Sequence, residues 1–258
     1  RFGMESLIGK AALISNEAAN PRTHAAADKL KQLITGDTLD VDRKMRPVVS
    51  MKFDIPILFT TNVLPKIEDE TNALYERLVV LEFNRQFDAE DAKLLGGKKA
   101  LPYLRSKGEL PGILNWCLEG YDRAIERKSF KLPSTAMAAG ERFRRQNDKV
   151  YDFVAQCCTR DREVACSSQG LSWACVQFAM EVHDTKISPA TAARQLPEVV
   201  RRICVGAKLD QGYHEKQQFR AWHGLRLNDV GIRYFEAAGT KGYAGYKEVA
   251  RRMNYRIR

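Results

Sequence analysis

The stretch Asp54–Phe83 decides the fold, because it holds two short apolar runs with polar residues at their ends. It reads DIPILFTTN over residues 54–62 and ALYERLVVLEF over residues 73–83. Neither run alternates apolar and polar residues, and both are rich in β-branched and aromatic side chains. That composition is typical of strands buried on both faces of a parallel sheet. We therefore predict strands over Ile55–Phe59 and Leu78–Phe83 in an α/β fold.

Polar residues stand where the predicted strands end. Asn62 follows the first run, and an earlier apolar run, Ala11–Ile14, leads into Ser15-Asn16-Glu17. Ligands of open α/β sheets bind outside the carboxyl ends of the strands. If both strands lie in one sheet, Glu17 and Asn62 share one crevice. Arg77 comes directly before the last predicted strand.

A helix and a basic hairpin are predicted between the apolar runs Ala11–Ile14 and Ile55–Phe59. The helix, Ala25–Ile34, stops at Gly36, a residue favoured at helix ends. The hairpin, Thr38–Lys52, is predicted from its alternation over Val48–Phe53. It carries Arg43, Lys44, Arg46 and Lys52. Charge alone leaves two interpretations open, a solvated sheet edge or a loop directed at phosphates.

Three helices are predicted in the middle of the chain. Asp88–Leu95 has acidic residues in its first turn, where the helix dipole favours them. Pro111–Arg127 begins with proline in its first turn and carries an apolar face. Ser134–Gln156 is predicted as one long helix that links two domains.

The C-terminal part has the order helix, helix, two-stranded ribbon, which is typical of a winged helix. The helices are Leu171–His183 and Ser188–Cys204, and the second begins with the N-cap pair Ser188-Pro189. The strand-like runs are Tyr213–Phe219 and Ala221–Leu227. The second helix carries Arg194, Arg201 and Arg202. It is either a recognition helix that binds DNA or a helix whose arginines are only solvated surface. One further helix, Tyr246–Met253, is predicted in the tail.

The composition of the chain limits the classes of binding partner and the cell compartment that we expect. A formal net charge of +10 favours a polyanionic partner. No run approaches the length of a membrane span and no signal peptide is visible, so we expect a cytoplasmic chain with no membrane partner. The six cysteines form no CxxC pair and are expected to be reduced and mostly buried. A zinc site remains an alternative, and its ligands would come from Cys157, Cys158, Cys166, Cys175 and His183.

Glu17, Asn62 and Arg77 are the residue types that phosphoryl transfer from a nucleotide requires. It needs a group that orients water, a polar group near the γ-phosphate and a cation for the developing charge. Each residue alone also has an ordinary structural explanation, such as a turn asparagine or a surface arginine. Their order and spacing carry more weight than any one of them.

The spacing of these motifs resembles superfamily 3 helicases, and within them the phage and plasmid primase-helicases. The resemblance covers residues 1–150 and is weaker in the C-terminal part. It rests on Gly9-Lys10, Ser15-Asn16-Glu17, Leu33-Ile34-Thr35-Gly36-Asp37, Asp42-Arg43-Lys44, Thr60-Thr61-Asn62-Val63-Leu64-Pro65, Ala73-Leu74-Tyr75-Glu76-Arg77-Leu78 and 110–120.

The resemblance implies an AAA+-like ATPase that forms a ring, usually a hexamer, around DNA. Glu17 would be the Walker B acid that polarises the attacking water. Asn62 would be the sensor asparagine, and Arg77 the arginine finger that acts on the neighbouring subunit's ATP. Asn16, where related motors often have an acid, would contact the nucleotide with Asn62. The segment Arg43–Lys52 would be the hairpin that grips DNA phosphates in the pore.

The expected organisation is a partial AAA+-like parallel sheet with flanking helices, then a mainly α winged-helix-like domain. The boundaries are 1–130 for the ATPase part, 131–156 for a linking helix, 157–230 for the winged helix and 231–258 for a basic tail. No GxxxxGK[ST] phosphate loop occurs in the sequence. We therefore expect a C-terminal fragment whose phosphate loop and primase region lie upstream of Arg1.

The predicted function is that of an ATP-dependent replicative DNA helicase of a phage, plasmid or integrated mobile element. Its cofactors would be ATP and Mg²⁺ in the full-length protein, and its partners single-stranded or forked DNA and further copies of itself. The fragment alone is expected to be inactive with no cofactor bound. It would act in the cytoplasm of a bacterial or phage-infected cell. The alternative is a non-enzymatic DNA-binding adaptor that keeps a degenerate ATPase remnant.

Overall fold

The structure, a computed structural model, describes residues 3–16, 31–62, 64, 74–94, 96, 99–214, 217–241, 243 and 246–256. It is a mixed α/β fold with small sheets. The chain divides into two compact units, one formed by Arg1–Leu78 with Arg142–Arg258 and the other by Val79–Glu141. No helix in the described ranges has the length and apolarity needed to cross a membrane.

The N-terminal segment contains a parallel strand pair and an antiparallel hairpin. After a 3-10 helix over Gly3–Leu7 come β1, Leu13–Asn16, and β4, Ile57–Thr60, which pair in parallel. Between them, β2, Leu39–Arg43, and β3, Arg46–Met51, form the hairpin. Residues 31–35 are helical, and Gly36 follows with a φ of 73°. The shared sheet, the hairpin and the helix end predicted from the sequence are confirmed.

One face of the β1–β4 pair is covered and the other is exposed. Leu33, Leu39, Val41 and Phe53 form a small core, against which Ile57 packs. On the other face, the paired residues Ile14 and Leu58 are 64% and 54% exposed. The prediction of strands buried on both faces is therefore wrong for the described part of the chain. Their continuous apolar character leaves an uncovered apolar sheet face instead.

The predicted strand Leu78–Phe83 is also wrong, because the run has no strand geometry. A strand satisfies its backbone N–H and C=O groups by pairing with a neighbour. No described strand pairs with this run. Leu81 and Phe83 are exposed. β-Branched composition therefore did not suffice to make a strand without a partner.

The middle unit is helical. It contains α1, Ala89–Leu94, α2, Ala100–Ser106, and α3, Leu110–Arg127. The first and third confirm predicted helices. The apolar face of α3 holds no buried residue, and its exposed members include Ile113, Leu114, Trp116, Leu118 and Tyr121.

The predicted single helix Ser134–Gln156 is two helices. α4 covers Ser134–Asn147 and α5 covers Lys149–Cys157. Asp148 has an extended backbone with φ −108° and ψ 95°, and its side chain accepts a hydrogen bond from the Tyr151 backbone N–H. A side chain that caps a new helix satisfies N–H groups that would otherwise lack partners. Asp148 therefore ends one helix and starts the next.

The C-terminal part has the order helix, strand, two helices, two strands, two helices and a short strand. After α5 come β5, Cys158–Ser167, α6, Ser168–His183, and α7, Pro189–Ile203. Side chains of Ser167 and Ser188 cap α6 and α7. The remaining elements are β6, Lys208–His214, β7, Gln217–Leu227, α8, Asp229–Gly239, α9, Tyr246–Ala250, and β8, Tyr255–Arg256.

These elements enclose the larger core of the chain. The antiparallel sheet has the order β6-β7-β5-β8. The most buried large side chains of the core include Phe153, Leu171, Phe178, Leu196 and Trp222. The two predicted helices are confirmed. The ribbon exists, but the bounds predicted for its first strand, Tyr213–Phe219, are wrong: β6 covers Lys208–His214, and residues 217–219 belong to β7. The sequence reasoning missed β5, α8 and β8.

Candidate functional site

The carboxyl ends of β1 and β4 lie side by side. Asn16, the last residue of β1, is in register with Thr60, the last residue of β4. Asn62 follows two residues later in a bend, with its side chain exposed. Glu17 lies outside the described residues, so its distance from Asn62 stays a prediction. The pairing brings the chain positions that precede both predicted catalytic residues to one sheet edge.

Arg77 lies in a tight turn formed by residues 74–77. The carbonyl oxygen of Leu74 accepts hydrogen bonds from the N–H groups of Arg77 and Leu78, both at 3.1 Å. Leu74 is 2% exposed, so its side chain fixes the start of this turn. Arg77 itself is exposed. The geometry presents an accessible cation on an anchored backbone.

The tip of the β2–β3 hairpin is basic and exposed. Lys44 and Met45 form the turn, in which Met45 has a φ of 54° and is 97% exposed. The Lys44 N–H donates to Glu5 Oε2 at 3.2 Å, which holds the turn from the 3-10 helix. Among the predicted DNA contacts, Lys44, Arg46 and Lys52 are exposed and Arg43 is half-buried. The structure thus gathers these four cations on one hairpin.

The three arginines of α7 have different surroundings. Arg194 and Arg201 are exposed. Arg202 is half-buried, and its guanidinium carbon lies 5.1 Å from the Tyr151 ring centroid. The Arg202 side chain is therefore engaged inside the domain. Of the predicted α7 contacts, Arg194 and Arg201 have the accessibility that binding to DNA needs.

A groove of about 480 Å³ lies beside the starts of α6 and α7. Two arginines line it, Arg220 on β7 and Arg252 after α9, and the Arg252 guanidinium lies 4.8 Å from the Phe219 ring centroid. The sequence reasoning did not select either arginine for a site. Arg220 could have been found from its place in the predicted ribbon, next to Ala221. Arg252 had no signal beyond the basic character of the tail.

Burial dominates the electrostatics around Asp148. Desolvation raises the pKa of the Asp148 carboxyl, although the Tyr151 N–H and Arg144 oppose the shift. Desolvation and the like charge of Arg202 lower the pKa of Arg144. The Arg144 guanidinium stacks on two rings, with its carbon 4.1 Å from the Tyr151 centroid and 5.1 Å from the Tyr75 centroid.

Five of the six cysteines lie in the C-terminal core, and Cys117 is exposed. Burial raises the pKa of the Cys157 thiol to about 12, and it raises the pKa of Cys158, Cys166, Cys175 and Cys204 as well. Metal-binding cysteines are thiolates, which burial of this kind disfavours. Across the part of the chain that the structure describes, no group of three or more His, Cys, Asp or Glu is arranged to hold a metal ion. The zinc alternative thus has no structural support there.

A protein-family model matches the N-terminal segment of the chain. Residues 1–77 match DUF5906, described as a family of unknown function. The match includes β1, the hairpin and β4, and it ends at Arg77. No curated protein matches the chain. The stretch shared with this family is therefore the one that holds the predicted catalytic residues.

Proposed function

We propose that this chain supplies part of the ATP site of a ring-forming, ATP-dependent DNA helicase of the superfamily 3 type. The observation that carries the proposal is the parallel pairing of β1 with β4, in which Asn16 is in register with Thr60. Parallel strands that end together form the edge where α/β proteins bind nucleotides. Glu17 and Asn62 follow these two strand ends in the sequence.

The roles are those that the resemblance to superfamily 3 helicases implies, and the chemistry of each side chain suits its role. Glu17 would orient the water that attacks the γ-phosphate, and Asn62 would hydrogen-bond to that phosphate. Asn16 would lie near the nucleotide and its Mg²⁺. Arg77 would stabilise the charge that develops in the transition state of a neighbouring subunit. The sequence holds no phosphate loop, so the proposal requires one from outside these 258 residues.

The proposed DNA contacts lie on two separate surfaces. The first is the β2–β3 hairpin, with Arg43, Lys44 and Arg46 at its tip and Lys52 directly after β3 at its other end. The second is the C-terminal part, for which we propose a winged-helix architecture with α7 as the recognition helix. Its support is the order α5, β5, α6, α7, β6, β7, with the ribbon paired to β5. Arg194 and Arg201 would contact DNA there, whereas Arg202 has a structural role.

ATP hydrolysis by a polypeptide that contains this chain and a phosphate loop tests the proposal. The wild-type polypeptide should hydrolyse ATP, and DNA should stimulate it. Glu17→Gln should abolish turnover while ATP still binds, because only the attack step needs the carboxylate. Exchange of an exposed acid elsewhere, Glu163→Gln, is the matched control and should leave the rate unchanged.

A non-enzymatic DNA-binding adaptor is the second candidate, favoured by the basic hairpin tip and the exposed arginines of α7. It predicts DNA binding with no ATP turnover in the wild-type polypeptide and no effect of Glu17→Gln. DNA binding without ATP hydrolysis would therefore replace the helicase proposal with the adaptor.

A further inference from the structure

Alternating aromatic rings and guanidinium groups connect the Arg77 turn to the C-terminal helices. The Arg144 guanidinium lies between two tyrosines, 5.1 Å from the Tyr75 centroid and 4.1 Å from the Tyr151 centroid. Arg202 lies over the same Tyr151 ring at 5.1 Å. We call Tyr75, Arg144, Tyr151 and Arg202 the aromatic–arginine stack. Its members come from the Arg77 turn, α4, α5 and α7.

All four side chains of the stack are half-buried, and Tyr151 packs against the C-terminal core. The Tyr75 ring also lies 6.2 Å from the ring of Phe143, which is 3% exposed. Nε of Arg144 and one Nη of Arg202 are buried and find no hydrogen-bond acceptor among the described residues. Buried N–H groups without acceptors are costly, so the ring faces are their main compensation. Loss of a ring therefore removes a stacking contact of Arg144 and leaves it the attraction of the Asp148 carboxyl.

The stack fixes the backbone that leads into Arg77. Tyr75 stands two residues before Arg77, inside the turn whose N–H groups donate to Leu74 O. Leu74, at the start of the turn, is buried as well. With both residues held, the backbone of the turn that carries Arg77 has little freedom to rotate.

We propose that Tyr75 and Arg144 are positioning residues for Arg77, and that the stack anchors the Arg77 turn to α4, α5 and α7. The anchoring stands on the contacts alone. Its effect on catalysis rests on the proposed function, in which Arg77 serves the ATP of a neighbouring subunit. A displacement of about 1 Å in a catalytic group can cost about 10²-fold in rate, so an anchor of this kind governs turnover.

Hydrogen exchange of the 258-residue chain tests the anchoring without any catalysis. The amides of Arg77 and Leu78 report on the turn, and those of α8 report on the C-terminal core. Tyr75→Leu and Arg144→Met should speed exchange at the turn about tenfold, since a partly desolvated cation–π contact is worth roughly one such factor. Tyr75→Phe keeps the ring and should exchange more slowly at the turn than Tyr75→Leu. Arg233→Met is the matched control, because Arg233 also stacks on a tyrosine, Tyr234 at 5.0 Å, away from the turn.

ATP turnover in a polypeptide with a phosphate loop tests the catalytic consequence. Tyr75→Leu and Arg144→Met should lower kcat about 10²-fold with the KM for ATP nearly unchanged, because a displaced finger affects the transition state rather than ground-state binding. Tyr75→Phe, which keeps the ring, should have a higher kcat than Tyr75→Leu. A merely structural loss would change protection of α8 and the amount of folded protein instead.

The outcomes separate the inference from the proposed function. Unchanged exchange at residues 77 and 78 in both variants, with α8 protected, overturns the anchoring. A second outcome is faster exchange at the turn in the two variants while the wild-type polypeptide does not hydrolyse ATP. That result upholds the anchoring and rejects the proposed helicase function. Faster exchange with full ATP turnover overturns the positioning role and leaves the helicase intact.

Discussion

Arg43 and Arg46 face each other across the β2–β3 hairpin, as the residues on either side of its two-residue turn. Like charges at directly opposed positions of a strand pair are destabilising. Arg43 relieves part of this by donating from Nε to the Pro47 carbonyl oxygen at 3.0 Å. Lys44 adds a further positive charge in the turn between them. A polyanion bound at the tip would neutralise this repulsion, which gives a physical reason for DNA binding there.

Replacing Lys44 and Arg46 by Ala should weaken DNA binding equally on all sequences. Phosphate contacts carry no sequence information, and each one releases condensed counterions. The slope of log K against log salt should therefore become shallower by about one unit for each phosphate that the variant no longer neutralises. Fluorescence anisotropy at several salt concentrations measures this slope.

Lys131→Ala is the control for the hairpin, because this exposed lysine lies outside it. It should leave the slope within the error of the wild type. If the hairpin variants bind with an unchanged slope, the tip is a solvated edge and DNA binds at another surface.

Arg77→Ala should abolish ATP hydrolysis and leave nucleotide affinity nearly intact. An arginine supplied from a neighbouring subunit stabilises transition-state charge more than ground-state binding. Mixing Arg77→Ala with Glu17→Gln subunits gives the sharper measurement. Mixed rings would contain some sites with an intact Glu17 and an intact Arg77, so ATPase activity should partly return.

Co-assembly must be shown in the same mixture, for example by pull-down of differently tagged subunits. Mixed assemblies without any recovered activity would mean that Arg77 acts within its own subunit or is structural. Full activity in the Arg77→Ala protein alone would instead remove Arg77 from the reaction.

Helix starts and ends with a local sequence signal were predicted correctly. Some strands that depend on pairing with distant parts of the chain were not. The Ser188-Pro189 start of α7 and the Gly36 helix end could be assigned from a few neighbouring residues. β5 could not, because Thr159–Glu163 is polar and the strand forms only by pairing with β7 and β8. Leu78–Phe83 has strand composition but no described partner strand. Composition thus predicted the potential to pair without the pairing itself.

In the candidate site, too, features with a local sequence signal were predictable and features that depend on distant contacts were not. The shared edge of β1 and β4 was predictable, because polar residues after apolar runs mark strand ends. The half-buried position of Arg202 was not predictable, because the ring that it stacks on, Tyr151, lies on another helix. The break at Asp148 was missed because capping by a single side chain does not interrupt the apolar periodicity on either side.

Only Cys117 should react quickly with a thiol reagent in the native chain. It is exposed, and the other five thiols are buried with raised pKa, which keeps them protonated. The thiolate is the reactive species. A colorimetric titration should count one fast thiol before unfolding and all six afterwards. Cys117→Ser should remove the fast phase, and a second fast thiol would show that the C-terminal core opens readily.

Asp148→Asn should stabilise the chain at neutral pH, or at least leave it as stable as the wild type. Asn is as good an N-cap as Asp and keeps an acceptor for the Tyr151 N–H, which Asp148 Oδ1 now bonds at 2.8 Å. Burial raises the pKa of Asp148 above its ordinary value of 3.8. The folded state therefore binds this proton more tightly than the unfolded state. The resulting stability is present below the ordinary pKa and is lost as pH rises through the folded pKa.

Urea unfolding at about pH 7 and about pH 4 measures the difference in free energy of unfolding between Asp148→Asn and the wild type. Linkage predicts that this difference is present only at the higher pH. The advantage of Asp148→Asn should shrink at the lower pH, where the wild-type carboxyl is increasingly protonated. Asp148→Ala removes the cap and should cost about 1 kcal/mol at both. Asp54→Asn, at an exposed position outside the helices and strands, is the control. If Asp148→Asn is clearly less stable than the wild type near pH 7, the ionised carboxylate is itself stabilising, through Arg144 and Arg202.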